Sequence, residues 1–185
     1  MSGPPNPFVS FAATGPFGGR PQPQVSNSKG MRRFVAANYI QLRRIPQGAM
    51  EDDILVQLSY SAAKAFVSTY YADLHNAREK LSGYYTPTAS ISWNGNQLTG
   101  GADVQKLHTQ MMPATYEVQC FDAQPLLPNG RGQCSVMLAT NGYVKFGEEK
   151  DAPLRGFSET LVLEPDTSTT PIQFLVTQQS FRFVF

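Results

Sequence analysis

The chain has 185 residues, 41% of them apolar and 16% charged, enough for one packed domain plus an extension. It has no run of about 18 apolar residues and no basic-then-apolar leader. With only two cysteines and two histidines, the composition argues against a disulfide scaffold and against a structural zinc site.

The net charge of +1 hides an asymmetry. Residues 1–50 carry Arg20, Lys29, Arg32, Arg33, Arg43 and Arg44 and no acid, whereas residues 51–185 carry 9 basic and 14 acidic side chains. A basic tail on a mildly acidic domain predicts contact with nucleic acid or an acidic surface; a solvated linker is the plainer reading. Residues 1–30 hold six prolines and five glycines, too little apolar surface to offset ordering entropy, which predicts disorder. Phe34, Ala37 and Ile40 share one face of a short helix that Pro46 and Gly48 break. We therefore divide the chain into a flexible Pro/Gly-rich basic extension, 1–49, and a folded domain, 50–185.

The domain opens with a helix in which Ile54, Leu58, Ala62, Ala65, Phe66, Thr69 and Tyr70 recur near 3.6-residue spacing. Glu51, Asp52 and Asp53 complement its dipole. A second short helix, NAREKLSGYY, ends around Gly83, and Pro87 blocks its continuation. Two short strands follow around Asn94-Gly95, residues that tolerate positive φ. Ala102 to Met112 forms a third helix, with Val104, Leu107 and Met111 on one stripe, Asp103 in the first turn and Pro113 at the stop. Four segments of period two complete the chain as an antiparallel meander. The sum is an α+β domain: three N-terminal helices packed on a strongly bent, mainly antiparallel sheet.

In the last strand Phe181, Phe183 and Phe185 point one way, and Gln178, Ser180, Arg182 and Val184 the other. In the strand after Gln133, Val136 and Leu138 face one side and apolar Met137 and Ala139 the other. Both faces of that strand read as covered, yet three helices suffice for one face only. A partner protein is the economical cover for the second. Arg182 then lies in that interface or, alternatively, lays its stem on the sheet and reaches water at the rim.

FV-x-x-YY at Phe66 to Tyr71, WNGN at Trp93 to Asn96, VKF at Val144 to Phe146 and FRF at Phe181 to Phe183 together resemble the nuclear transport factor 2-like family. More narrowly, residues 51–185 resemble the small subunit of the mRNA export receptor heterodimer, the fungal mRNA transport regulators included. The resemblance implies a cone-shaped domain whose sheet pairs with the similar domain of a large TAP-type export receptor. Arg182 of the FRF motif then meets an acidic group of that subunit, through a face that includes Gln178, Ser180 and Val184. It implies a non-enzymatic adaptor at the nucleus and nuclear pore, shuttling to the cytoplasm, with nucleoporin Phe-Gly repeats and RNA met by the heterodimer. The tail before Met50 and the short GEEKDAPLRG loop depart from some members. Alternatives within the fold are a homodimeric transport factor carrying a small GTPase, and a small-molecule isomerase or dehydratase.

An enzyme of this fold would need a carboxylate or histidine on an inward face beside tyrosines. Asp73, His75, Asp103 and His108 are the candidates. Asp103 is better explained as a helix N-terminal acid, and His75 as a helix-end cation. Cys120 and Cys134 lie symmetrically about Leu127, so neighbouring strands could carry them, as reduced thiols. Phe-Gly pairs occur in PFGG, from Pro16, and KFGEE, from Lys145. Arg131, Lys145, Lys150 and Arg155 lie in or near strand-end loops and could contact RNA, against the acids Glu148, Glu149 and Asp151. Trp93 reads as a hairpin anchor. No phosphate-binding loop is present, so neither cofactor nor metal is expected.

Overall fold

The computed structural model describes residues 52–126, 133–147, 149 and 151–184. The expected tail, the PFGG motif, Arg131, Lys150, Glu148 and Phe185 lie outside them.

Helix α1 spans Asp52–Asn76. Ala62, Ala63, Phe66, Val67, Tyr70, Tyr71 and Leu74 make its buried face at three- and four-residue spacing. Ile54, expected in the same stripe, is 38% exposed instead, as are Val56 and Tyr60 at 49% each. In this part of the helix Tyr60 stacks on Phe121 at 5.4 Å. The expected second helix is a 3-10 segment, Arg78–Tyr84, with Leu81 buried.

Strands β1, Tyr85–Trp93, and β2, Asn96–Thr99, form the expected hairpin. Asn94 (φ 47°) and Gly95 (φ 89°) make its turn. Strand β1 begins earlier than anticipated and contains Pro87. That proline falls in the gap where pairing with the final strand shifts between Tyr85 and Ser90. A residue without an N–H is tolerated at such an irregularity. Helix α2, Gly100–Gln110, carries Asp103 in its first turn. Strands β3 (Ala114–Pro125), β4 (Val136–Phe146), β5 (Leu154–Asp166) and β6 (Gln173–Val184) follow.

The sheet order is β2-β1-β6-β5-β4-β3. From β3 to β6 it is the expected antiparallel meander. Strand β1 joins β6 in parallel, so the sheet is mixed. Its inner face meets the helices through Ile91, Leu138, Val144, Phe157, Leu161, Leu163 and Val176, all fully or nearly fully buried. Trp93 anchors the hairpin as expected, stacking on Phe181 at 5.2 Å.

Cys120 is exposed on β3, Cys134 is buried before β4, and both are free. Cys120 stands opposite Asn141, because Pro125 pairs with Val136. The register of β3 on β4 is therefore not symmetric about Leu127, and the two thiols do not oppose each other.

Candidate docking face

The alternation of β6 holds. Phe181 is buried, whereas Gln178, Ser180, Arg182 and Val184 are exposed on the outer face. Register extends this face across the whole sheet. Ser180 lies between Ser92 of β1 and Thr160 of β5, and Thr160 faces Ala139, which faces Asp122. The centre is thus floored by short side chains, which lets another surface approach the backbone closely.

The flanks are different. Arg182 faces Ser158, which faces Asn141. Among the described residues, Arg182 has no hydrogen-bond or ion-pair partner. One row further, Val184 faces Gly156, which faces Tyr143. Val184 (42%), Tyr143 (46%) and Leu154 (62%) form an exposed apolar group there. Gly156 makes the group possible: a Cβ on it would meet Val184 Cγ2 at 2.9 Å. Met137 and Ala139, read from sequence as covered, are half-buried in the chain by itself.

The other candidates scatter. By alternation Lys145 lies on the outer face and Arg155 on the inner, where its guanidinium sits 5.9 Å over the Phe183 ring. The two do not share a basic patch. The Phe-Gly pair at Phe146 is engaged in packing, edge-on to Phe183 at 5.9 Å.

The four acid–base candidates do not assemble either. Asp73 accepts a hydrogen bond from Tyr84 (2.6 Å). His75 donates from Nδ1 to the Ala114 carbonyl (3.1 Å), and Asp103 accepts from the Thr99 amide (3.1 Å). His108 is buried against Trp93; burial, and secondarily Arg78, lowers its pKa to about 4. Arg78 itself binds the carbonyls of Leu74, His108, Met111 and Met112, closing the C-terminal end of α2.

The interior holds a polar cluster that the sequence reading missed. Glu159 is 2% exposed, flanked on the inner side of β5 by Phe157 and Leu161. Its carboxylate accepts from the Tyr71 hydroxyl and from Gln179 Nε2. Tyr71 also bonds Thr140 (2.7 Å), and Gln179 accepts from Tyr85 (2.8 Å), which bonds Tyr70 (2.7 Å). Burial raises the Glu159 pKa, the bonds from Tyr71 and Gln179 lower it, and the balance is about 6. Period two was the available signal, since Phe157, Glu159 and Leu161 share a parity.

Helices on one face of a six-strand mixed sheet, with the opposite face bare along its midline, define a nuclear transport factor 2-like α+β domain. The pattern of the Nuclear transport factor 2 (NTF2) domain matches residues 62–183, more than half of the chain, and the chain belongs to that family. It is similar to "NTF2-related export protein 1" of Bos taurus, 28% identical over 123 residues, covering 66% of this chain and 86% of the relative. In structure it is similar to nuclear transport factor 2 from Cryptosporidium parvum (TM-score 0.57, 23% identity, 68% of this chain and 94% of that one). It is also similar to a chain of the C. albicans Mtr2–Mex67 M domain complex (TM-score 0.53, 15% identity, 69% and 96%). The first two of these are named as an export protein and a transport factor; the fold occurs also in dehydratase-like and ketosteroid isomerase-like proteins.

Proposed function

We propose that this chain is a non-enzymatic adaptor, the small subunit of a heterodimer with a larger TAP-type receptor that exports mRNA through nuclear pores. The observation that carries this reading is the outer face: a floor of short side chains, an apolar flank at Tyr143, Leu154 and Val184, and between them Arg182, without a partner among the described residues. Such a face suits a second sheet with an acidic side chain opposite the guanidinium. The names of the relatives and the Mtr2–Mex67 complex support the same direction. Gln178, Ser180, Arg182 and Val184 contact the partner, and nucleoporin repeats and RNA are met by the heterodimer. The chain accordingly works at the nucleus and the pore.

Expression alone and together with a TAP-type large subunit, followed by sizing, tests this. A one-to-one complex is expected, with the lone chain self-associated or poorly soluble. A monodisperse monomer that ignores the large subunit overturns the reading. Self-association with capture of a small GTPase would instead indicate a homodimeric transport factor.

A further inference from the structure

Docking at the outer face makes no use of the Glu159 cluster. The cluster joins five elements: Tyr70 and Tyr71 of α1, Tyr85 of β1, Thr140 of β4, Glu159 of β5 and Gln179 of β6. The titratable groups acting electrostatically with Glu159 are Tyr70 and Tyr71 of α1, Tyr85 of β1 and Tyr116 of β3, all neutral in the folded domain. None of its partners among the described residues is a cation. A buried carboxylate with only neutral partners is costly when ionised.

The hydroxyls around it can serve either protonation state. When Glu159 is ionised, Tyr71 donates to it and can accept from Thr140. When Glu159 carries a proton, its own O–H can donate to the Tyr71 oxygen while Tyr71 turns to donate to Thr140 Oγ1. Only hydroxyl rotations separate the two.

We propose that Glu159, Tyr71 and Gln179 form a proton-sensitive latch holding α1 to the middle of the sheet, tightened when the Glu159 carboxylate takes up one proton from solvent and loosened when it gives that proton back. The sign follows from linkage. The folded pKa, about 6, lies above the ordinary 4.5 of an unfolded chain, so the folded state gains stability as pH falls through 6, fully so by 4.5. His108 works the other way. Its pKa drops from 6.5 to about 4 on folding, so acid below 6.5 favours the unfolded chain. The two act in opposite directions in the wild type, so the Glu159 contribution is read against a variant that lacks it.

The test is thermal melting of the full chain between about pH 5 and pH 7.5 for wild type, Glu159→Gln and Tyr71→Phe. Glutamine imitates the protonated carboxyl. The Tm of Glu159→Gln should therefore gain on wild type by roughly 5 °C as pH rises across that range. Tyr71→Phe removes a donor that the carboxylate needs and should steepen the loss towards neutral pH. A gap between Glu159→Gln and wild type that stays constant with pH overturns the latch. Should Glu159→Gln fail to fold, infrared spectra of the wild type decide. A buried carboxylic-acid band present near pH 5 and gone by about pH 7.5 supports the proposal; its absence at pH 5 from folded protein overturns it.

Discussion

Ser158 and Arg182 stand opposite each other across β5 and β6 on the outer face. No hydrogen bond joins them among the described residues, so the cation is presented rather than consumed. We expect it to pair with a carboxylate of the large subunit. Arg182→Ala should cost roughly 2–5 kcal/mol of heterodimer affinity, by leaving that carboxylate desolvated and unpaired. Arg182→Glu should lose more, and Arg182→Lys should recover part, lacking the planar fork. Calorimetry at two salt concentrations measures this; equal affinities for all four forms would make Arg182 a mere rim residue.

The apolar flank gives a second expectation. Leu154→Asp and Val184→Asp should make the lone chain more soluble and weaken partner binding, with stability changed by no more than about 0.5 kcal/mol. Sizing of the lone chain, a binding titration and a melt separate the three effects. A large fall in Tm would show that these side chains support the fold itself.

Arg78 offers a test of the scaffold. Its guanidinium satisfies carbonyls of α1, α2 and the residues after α2, with bonds of 2.6 Å to His108 and 2.9 Å to Met111. Arg78→Ala should lose about 2–3 kcal/mol in urea unfolding, with Arg78→Lys intermediate. Removing the cation should also raise the pKa of His108, which Arg78 lowers. The acid loss of stability due to His108 should then be smaller in the variant.

Gly142 pairs across β4 with Val118 of β3 and Phe157 of β5. A Cβ there would lie 2.1 Å from the Glu117 carbonyl oxygen and 3.0 Å from the Phe157 ring. Backbone cannot yield cheaply, so Gly142→Ala should destabilise by about 1–3 kcal/mol. An unchanged urea midpoint would contradict that packing.

Residues 1–49 precede the described fold, and the family match begins at Ala62. We propose that they are dispensable for folding and pairing and add at most electrostatic contact. Deleting them should shift Tm by less than ~5 °C, about 1 kcal/mol for a domain of this size.

Local chemistry was the legible part of the sequence. Helix α1, the Asn94-Gly95 turn, the stop at Pro113 and the meander all follow from spacing and turn residues. The parallel pairing of β1 with β6 was not legible, because it joins distant segments and no turn residue encodes it. Pro87 ends the helical stretch as read, but its place inside β1 was not legible, because that depends on a pairing gap that only the sheet creates. Ile54 has the right phase, yet it is 38% exposed, because phase alone does not say which turns of a helix are covered. For the candidate face, alternation put Arg182 and its neighbours on one side of β6, and the FRF resemblance singled out Arg182. Tyr143 and Leu154 were not legible, because register across three strands brings them beside Val184. Glu159 has the parity of Phe157 and Leu161, but nothing local in the sequence shows the hydroxyl and amide partners that bury it.

Strand order also has a consequence for synthesis. Strand β6 is the last of the described strands to be made, yet it sits between β1 and β5. Until Gln173–Val184 has emerged from the ribosome, the β1–β2 hairpin and the β3–β5 meander are separate pieces, each with an edge waiting for β6. The outer face, with Arg182 on its final filled strand, does not exist on the nascent chain. A partner that reads this face must therefore meet a chain whose β6 has already emerged, and the unfilled gap is the interval in which a growing chain most needs protection from aggregation.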